Sequence, residues 1–203
     1  MIVAIDGNIS SGKSTVVERL GSDHAVFQEP LEKWTLLDKF YADPRTYVLP
    51  FSLQVLAAFA DLSRPDGRRI GALTRDGGEL VVTERSPLTT REVFTRMHVN
   101  DGTMNDADWE TFKRYFDIVG WKPDAIVFVH VPFGVCHRRM LRRNRSCEEN
   151  VTLDYLERVE KSYETLLRFA NIPYEIVDGT ASPDVVEREV RDAIRRLTSS
   201  AIS

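Results

Sequence analysis

Apolar and polar positions alternate between two periods along the chain. Ile2-Val3-Ala4-Ile5 is a continuous apolar run with β-branched residues, which suits a buried parallel strand. Val16, Val17 and Leu20 then recur at helical spacing, with Glu18 and Arg19 left for solvent. Ala25-Val26-Phe27-Gln28 predicts a second strand that stops at Glu29-Pro30, because Pro30 disfavours helix at Glu29. Residues 31–41 predict a helix burying Leu31, Trp34, Leu37 and Phe40. The apolar stretch over 44–63 is too long for a strand and predicts a mostly buried helix that Pro50 either kinks or begins. Residues 64–78 carry glycines, Pro65 and four arginines and predict a loop with a short helical piece.

The second half repeats the alternation. Leu80–Thr83 predicts a strand ending in Glu84-Arg85-Ser86, followed by a helix over 87–99. Asn105 or Asp106 caps a helix through about Val119, which Gly120 stops. Asp124–His130 is the clearest strand, and Pro132 and Gly134 lead from it into a basic helix over 134–143. Thr152 caps a helix over 153–170, Tyr174–Val177 is the last strand, Asp178-Gly179 turns, and 183–197 is an amphipathic helix. Five strands alternating with helices predict a three-layer α/β domain, a parallel five-stranded sheet with helices on both faces. No linker or repeat divides it, so 1–203 reads as a single domain.

Composition narrows the function classes. Of 203 residues, 42% are hydrophobic and 29% charged, which is ordinary for a globular protein. The net charge of −4 argues against a sequence-independent hold on nucleic acid. Cys136 and Cys147 stand in no metal-binding spacing, and His137 has no second Cys/His pair to join, so neither a disulfide scaffold nor zinc is expected. No apolar run is long enough to suggest a membrane span. The first strand starts at residue 2, leaving no room for a signal peptide, so a reducing, cytoplasmic location is expected.

The chemistry begins between the first strand and the first helix. Gly7-Asn8-Ile9-Ser10-Ser11-Gly12-Lys13-Ser14-Thr15 fits the phosphate-binding P-loop. Gly7 and Gly12 allow a tight turn that brings backbone N–H groups onto an anion at a helix N-terminus. Lys13 adds charge near the β- and γ-phosphates, and Ser14 offers a hydroxyl to Mg²⁺. ATP with Mg²⁺ is the expected cofactor, and the fold is expected to be P-loop kinase-like.

Further polar groups fall at the same sheet edge. Glu29 closes the second strand, Glu84-Arg85 the third, and Arg138, Arg139, Arg142, Arg143 and Arg145 crowd the helix after the fourth. Taken singly, each is the kind of residue that usually faces water. Together beside a P-loop they supply what phosphoryl transfer to a hydroxyl needs: a carboxylate at the acceptor oxygen, cations for the migrating charge, and a lid against water.

These residues also carry a likeness. The chain resembles the deoxynucleoside kinases over residues 1 to about 170. Glu29-Pro30-Leu31-Glu32-Lys33-Trp34 resembles their E-P-x-x-x-W, in which the Glu is the base at the 5′-hydroxyl and the Trp walls the base pocket. The resemblance implies that Tyr41, before Ala42-Asp43-Pro44, meets the sugar 3′-hydroxyl, and that Glu148 bonds the same hydroxyl. It makes Glu84-Arg85-Ser86 the E-R-S motif, with Glu84 helping to hold Mg²⁺ and Arg85 beside the reacting oxygen. It places Arg139, Arg143 and Arg145 on a basic lid of about 139–150, and Phe94 against the base.

The likeness departs at base recognition. The family's Phe-Gln is replaced by Phe51-Ser52, with Gln54 two residues on, and two residues along a helix is about 200°. Either Ser52 replaces the Gln, or Pro50 loosens the helix enough for Gln54 to reach in, and the amide's paired donor and acceptor favour Gln54. Phe59 and Thr90 stand where cytidine- and purine-accepting relatives carry an Arg and an Asp, which resembles the thymidine-accepting branch. The expectation is ATP-dependent phosphorylation of thymidine or another pyrimidine deoxynucleoside by a homodimer. The alternatives are a thymidylate-type monophosphate kinase or a non-catalytic kinase-like subunit.

Overall fold

The structure is a computed structural model, and the residues described are 1–63 and 79–200. The loop expected at 64–78 lies outside them.

Five parallel strands form the sheet: β1 (Ile2–Asp6), β2 (Ala25–Phe27), β3 (Val81–Glu84), β4 (Ala125–His130) and β5 (Tyr174–Asp178). Their spatial order is β2-β3-β1-β4-β5. The order reverses at β1, with Ile5 beside Glu84 on one side and Val127 on the other. Ligands bind outside the carboxyl ends of strands at such a switch point. The P-loop leaves from the C-terminal end of β1 at this place.

Two helices cover one face. α1 (Lys13–Leu20) turns Val16, Val17 and Leu20 onto the sheet, and α9 (Pro183–Ser200) packs Val186, Val190 and Ile194 beside them. The other face is covered by α7 (Phe133–Arg143) and α8 (Leu153–Phe169), with Tyr155, Leu156, Val159 and Tyr163 in the core. Thr152 accepts the Tyr155 N–H through its side chain, the cap that the residue pattern predicts. A third core joins α2 (Leu37–Ala42), α3 (Pro44–Ser63) and α6 (Asp106–Val119) around Phe40, Val48, Leu56 and Phe112. The Asn105 side chain caps α6 and the helix ends at Gly120. No helix among the described residues is long and apolar enough to cross a membrane.

Three expectations need correction. The helix over 31–41 is broken into a single turn, Leu31–Lys33, and α2, and Leu31 is 39% exposed rather than buried. In the gap the Gln54 amide accepts the Leu36 N–H at 3.0 Å and donates to Thr35 Oγ1 at 2.9 Å, so a side chain takes the place of helical bonds. Second, α3 neither begins at Pro50 nor stops there; it starts at Pro44, whose missing N–H costs nothing in a first turn. Third, the helix over 87–99 is not uniformly α. α4 (Pro87–Thr89) passes into a π-helical segment (Thr90–Thr95) before α5 (Arg96–Asn100). Such a bulge changes which side chains share a face, and this one carries Thr90 and Phe94.

Candidate active site

Residues 7–13 form a loop whose backbone explains its glycines. At Gly7, φ is 152°, and an added Cβ would meet Val129 O at 2.6 Å and Ser11 Oγ at 2.7 Å. Gly12 is left-handed, φ 97°, at the N-cap of α1. Asn8 ties the loop down: its amide donates to Leu156 O at 2.8 Å while its carbonyl oxygen accepts the Ile9 N–H at 2.8 Å. Lys13 is 4% exposed and donates to Asn8 O at 2.7 Å. Burial, joined by Arg85, brings its ammonium down to about 8. The Oγ atoms of Ser10 and Ser11 are buried without a protein partner. A loop with orphaned hydroxyls, a buried lysine and a helix N-terminus suits a phosphate chain.

Ser14 donates to Glu84 Oε1 at 2.6 Å. Two hard oxygen donors beside the lysine suit Mg²⁺, which keeps water and substrate phosphates as its other ligands. The described residues hold no group of three or more acidic, His or Cys side chains that could by itself bind a metal ion.

Glu29 stands just past β2, and Arg85 just past β3 at φ 57°. Arg85 Nη1 donates to both Glu29 oxygens at 2.8 Å, Nη2 to Gly7 O at 3.2 Å, and Nε to Tyr163 Oη at 3.1 Å. Burial raises the Glu29 carboxyl above its ordinary range, against the pull of Arg85. Glu29 and Arg85 lie where two cavities meet.

The inner cavity is lined mostly by carbon: Ile9, Trp34, Phe40, Tyr41, Phe51, Val55, Phe94 and Tyr155. Its polar edge is Ser52, Thr90 and His98. The outer cavity, about 1170 Å³ and open to solvent, joins Lys13, Ser14 and Glu84 to Arg143, Arg145, Cys147 and Glu148. The Arg143 Nη2 group donates to Glu148 Oε1 at 2.5 Å, and Glu148 Oε2 is buried and unpartnered. Arg139 donates to Ser11 O at 3.4 Å and Gly179 O at 3.0 Å. It lines a cleft over the P-loop together with Lys13, Ser14, Arg143 and Arg145, and a second one with Gly12, Thr15 and Pro183.

Most of the site residues drawn from the sequence therefore converge. Gln54 does not. Its side chain is spent on Thr35 and Leu36, and it is absent from the lining of both cavities, whereas Ser52 lines the inner one and accepts from Thr95 Oγ1 at 3.2 Å. The preference for Gln54 as base reader finds no support in this geometry, because α3 stays helical across Pro50 and holds the two residues on different sides. Phe59 is buried against Trp121 instead of facing the cavity. Residue patterns had not pointed to Asp6, His98, Tyr155 or Tyr163. Asp6 carried one signal, a carboxylate directly before the glycine loop.

The chain was compared with known proteins. A family model described as deoxynucleoside kinase matches residues 3–202. The chain is 32% identical over 173 residues to the probable deoxycytidine kinase of Fowlpox virus, covering 81% of this chain and 71% of that one. It is 29% identical over 218 residues to the thymidine kinase of Ictalurid herpesvirus 1, covering 97% and 87%. A solved deoxyadenosine kinase from M. mycoides, with dCMP and dCDP bound, superposes with a TM-score of 0.79 at 19% identity, covering 97% of this chain and all of that one, a likeness of fold.

Proposed function

The chain belongs to the deoxynucleoside kinase family, and from that premise we propose that it transfers the γ-phosphate of ATP to the 5′-hydroxyl of a pyrimidine deoxynucleoside, with thymidine preferred. One observation carries the reading. Glu29, gripped by Arg85, stands between an apolar cavity and a loop shaped for phosphates.

In this reading the nucleobase enters the inner cavity between Trp34 and Phe94, with Phe51 behind. Tyr41 and the free Glu148 oxygen take the 3′-hydroxyl. The 5′-hydroxyl meets Glu29, which accepts its proton as the oxygen attacks phosphorus. Arg85 orients that carboxylate and faces the charge that develops. The P-loop from Gly7 to Thr15, with Lys13 and Arg139, would hold the triphosphate, and Ser14 and Glu84 would hold the Mg²⁺ that neutralises it. Arg143 and Arg145 close over the transferring group, where preorganised charge lowers the barrier most. Ser52, Thr90 and His98, whose imidazole burial holds down to about 4, give the inner cavity a few neutral polar groups, which suits a pyrimidine. Thr90 stands where the resemblance places a charge in cytidine- and purine-accepting relatives, which supports thymidine. A homodimer in the cytoplasm belongs to the same proposal, to be checked by sedimentation and by cell fractionation.

The test is transfer of radiolabel from ATP to each natural deoxynucleoside and to thymidine monophosphate. Label on thymidine above the others, and little on the monophosphate, is expected. Label on the monophosphate alone would move the chain to monophosphate kinase chemistry, and label on none of them would refute the reading.

A further inference from the structure

The Arg85 guanidinium is a planar fork, and three groups fix its plane: Glu29 at Nη1, Gly7 O at Nη2 and Tyr163 Oη at Nε. Two of these belong to the chemistry itself. The third comes from the middle of α8, well away in the chain. Tyr163 is 0% exposed, and its ring packs edge-on to Phe94 at 6.4 Å and tilted against Phe128 at 5.0 Å. A phenylalanine would fill that space equally well, so the hydroxyl is there for its polarity.

That hydroxyl has one proton and can turn freely unless something claims it. Asp6, fully buried at the end of β1, claims it: Tyr163 Oη donates to Asp6 Oδ1 at 3.2 Å. Thr89 Oγ1 donates to both Asp6 oxygens at 3.0 Å and holds the carboxylate from the other side. With its proton committed to Asp6, the Tyr163 oxygen can only present a lone pair to Arg85 Nε. The chain Thr89–Asp6–Tyr163–Arg85–Glu29 thereby ties the ends of β1, β2 and β3 to α4 and α8.

Within the kinase reading above, on which this inference rests, we propose that Tyr163 is a positioning residue: oriented by Asp6, it sets the angle of Arg85 and hence of the Glu29 carboxylate. It touches neither substrate nor ATP. Its loss leaves the nucleoside and nucleotide contacts in place and lets the Arg85–Glu29 pair turn about Nη1. Misplacement of a reacting group by an ångström costs up to about a hundredfold in rate.

The experiment is a double-mutant cycle on the full chain. Tyr163→Phe should lower kcat by about tenfold or more while both KM values stay within about twofold. In an Arg85→Lys background, which has no Nε, the same substitution should change kcat by less than about twofold. Val190→Ala is the control, since it opens a cavity in the core on the other face of the sheet, away from Asp6, Tyr163 and Arg85. It should lower the melting temperature and keep kcat near wild type. Equal losses of kcat in Tyr163→Phe and Val190→Ala, or the same loss in both Arg85 backgrounds, would make Tyr163 a structural residue only. Unchanged kcat in Tyr163→Phe would overturn the assignment and leave the kinase reading standing. A wild-type protein that phosphorylates no deoxynucleoside would take down both.

Discussion

His98 makes stability depend on acid in a way that can be worked out. It is 3% exposed, packed edge-on against Phe40 at 5.3 Å and tilted against Tyr155 at 6.1 Å. Neither ring nitrogen has a protein partner, and Nδ1 lies 3.8 Å from Asp101 Oδ2, beyond a hydrogen bond. Burial holds the imidazole down to about 4 from its ordinary 6.5, with Asp101 pulling upward and Arg158 pushing down again. In the unfolded chain it titrates at its ordinary value. Between those two values the unfolded state binds more protons, so stability rises with pH and is lost as pH falls through the window. From about pH 7 to about pH 5 the loss through this one side chain comes to roughly 2 kcal/mol, or ~4–8 °C in melting temperature for a domain this size. The perturbation is His98→Leu, close in volume and without a titratable group. Urea unfolding across that pH range should show the wild type weakening by about 2 kcal/mol more than the variant, and the variant more stable near neutrality by about 1 kcal/mol, since two unsatisfied nitrogens are gone. Parallel pH curves for the two proteins would refute the reasoning.

Three further outcomes follow from the site. Glu29→Gln should lower kcat about 10²–10⁴-fold with the nucleoside KM little changed, and should remove the acid limb of kcat/KM, which in the wild type lies above the ordinary carboxylate range because burial raises Glu29. Lys13→Ala should abolish turnover at an unchanged melting temperature. In the wild type ATP binding should take up protons near pH 8, because phosphate charge raises an ammonium that burial holds at about 8; calorimetry in buffers of differing ionisation enthalpy reads this directly. Ser52→Ala should change the ratio of kcat/KM for thymidine and deoxycytidine several-fold, whereas Gln54→Ala should leave that ratio alone and cost about 1 kcal/mol of stability by freeing the Thr35–Leu36 turn.

Residue patterns alone carried a large part of this protein. The parallel alternation of strands and helices, the caps at Thr152 and Asn105 and the P-loop are local statements, each set by residues a few positions apart. Period, proline, glycine and capping chemistry are enough to read them. Glu29, Glu84 and Arg85 were legible for a related reason: they close strands, and in a parallel sheet the strand ends gather at one edge. Other features depend on distances through space. Gln54 is one such case: a proline in α3 suggests an irregular helix, while packing keeps the helix whole and leaves the amide to hold a broken segment. The π-helical turn that carries Thr90 and Phe94 has no mark in the local pattern. Asp6 and Tyr163 are 157 positions apart, and each reads alone as an ordinary end-of-strand carboxylate and a core aromatic. They meet because α8 packs on the face of the sheet that β1 helps to form, in a place where a buried carboxylate, hydroxyl and guanidinium must satisfy one another or cost the fold several kcal/mol. Sequence determined the elements and the phosphate loop, since these rest on short-range sterics and periodicity. Tertiary structure decided which polar groups share one buried volume, since desolvation and hydrogen bonding act between whatever the packing brings within about 3 Å.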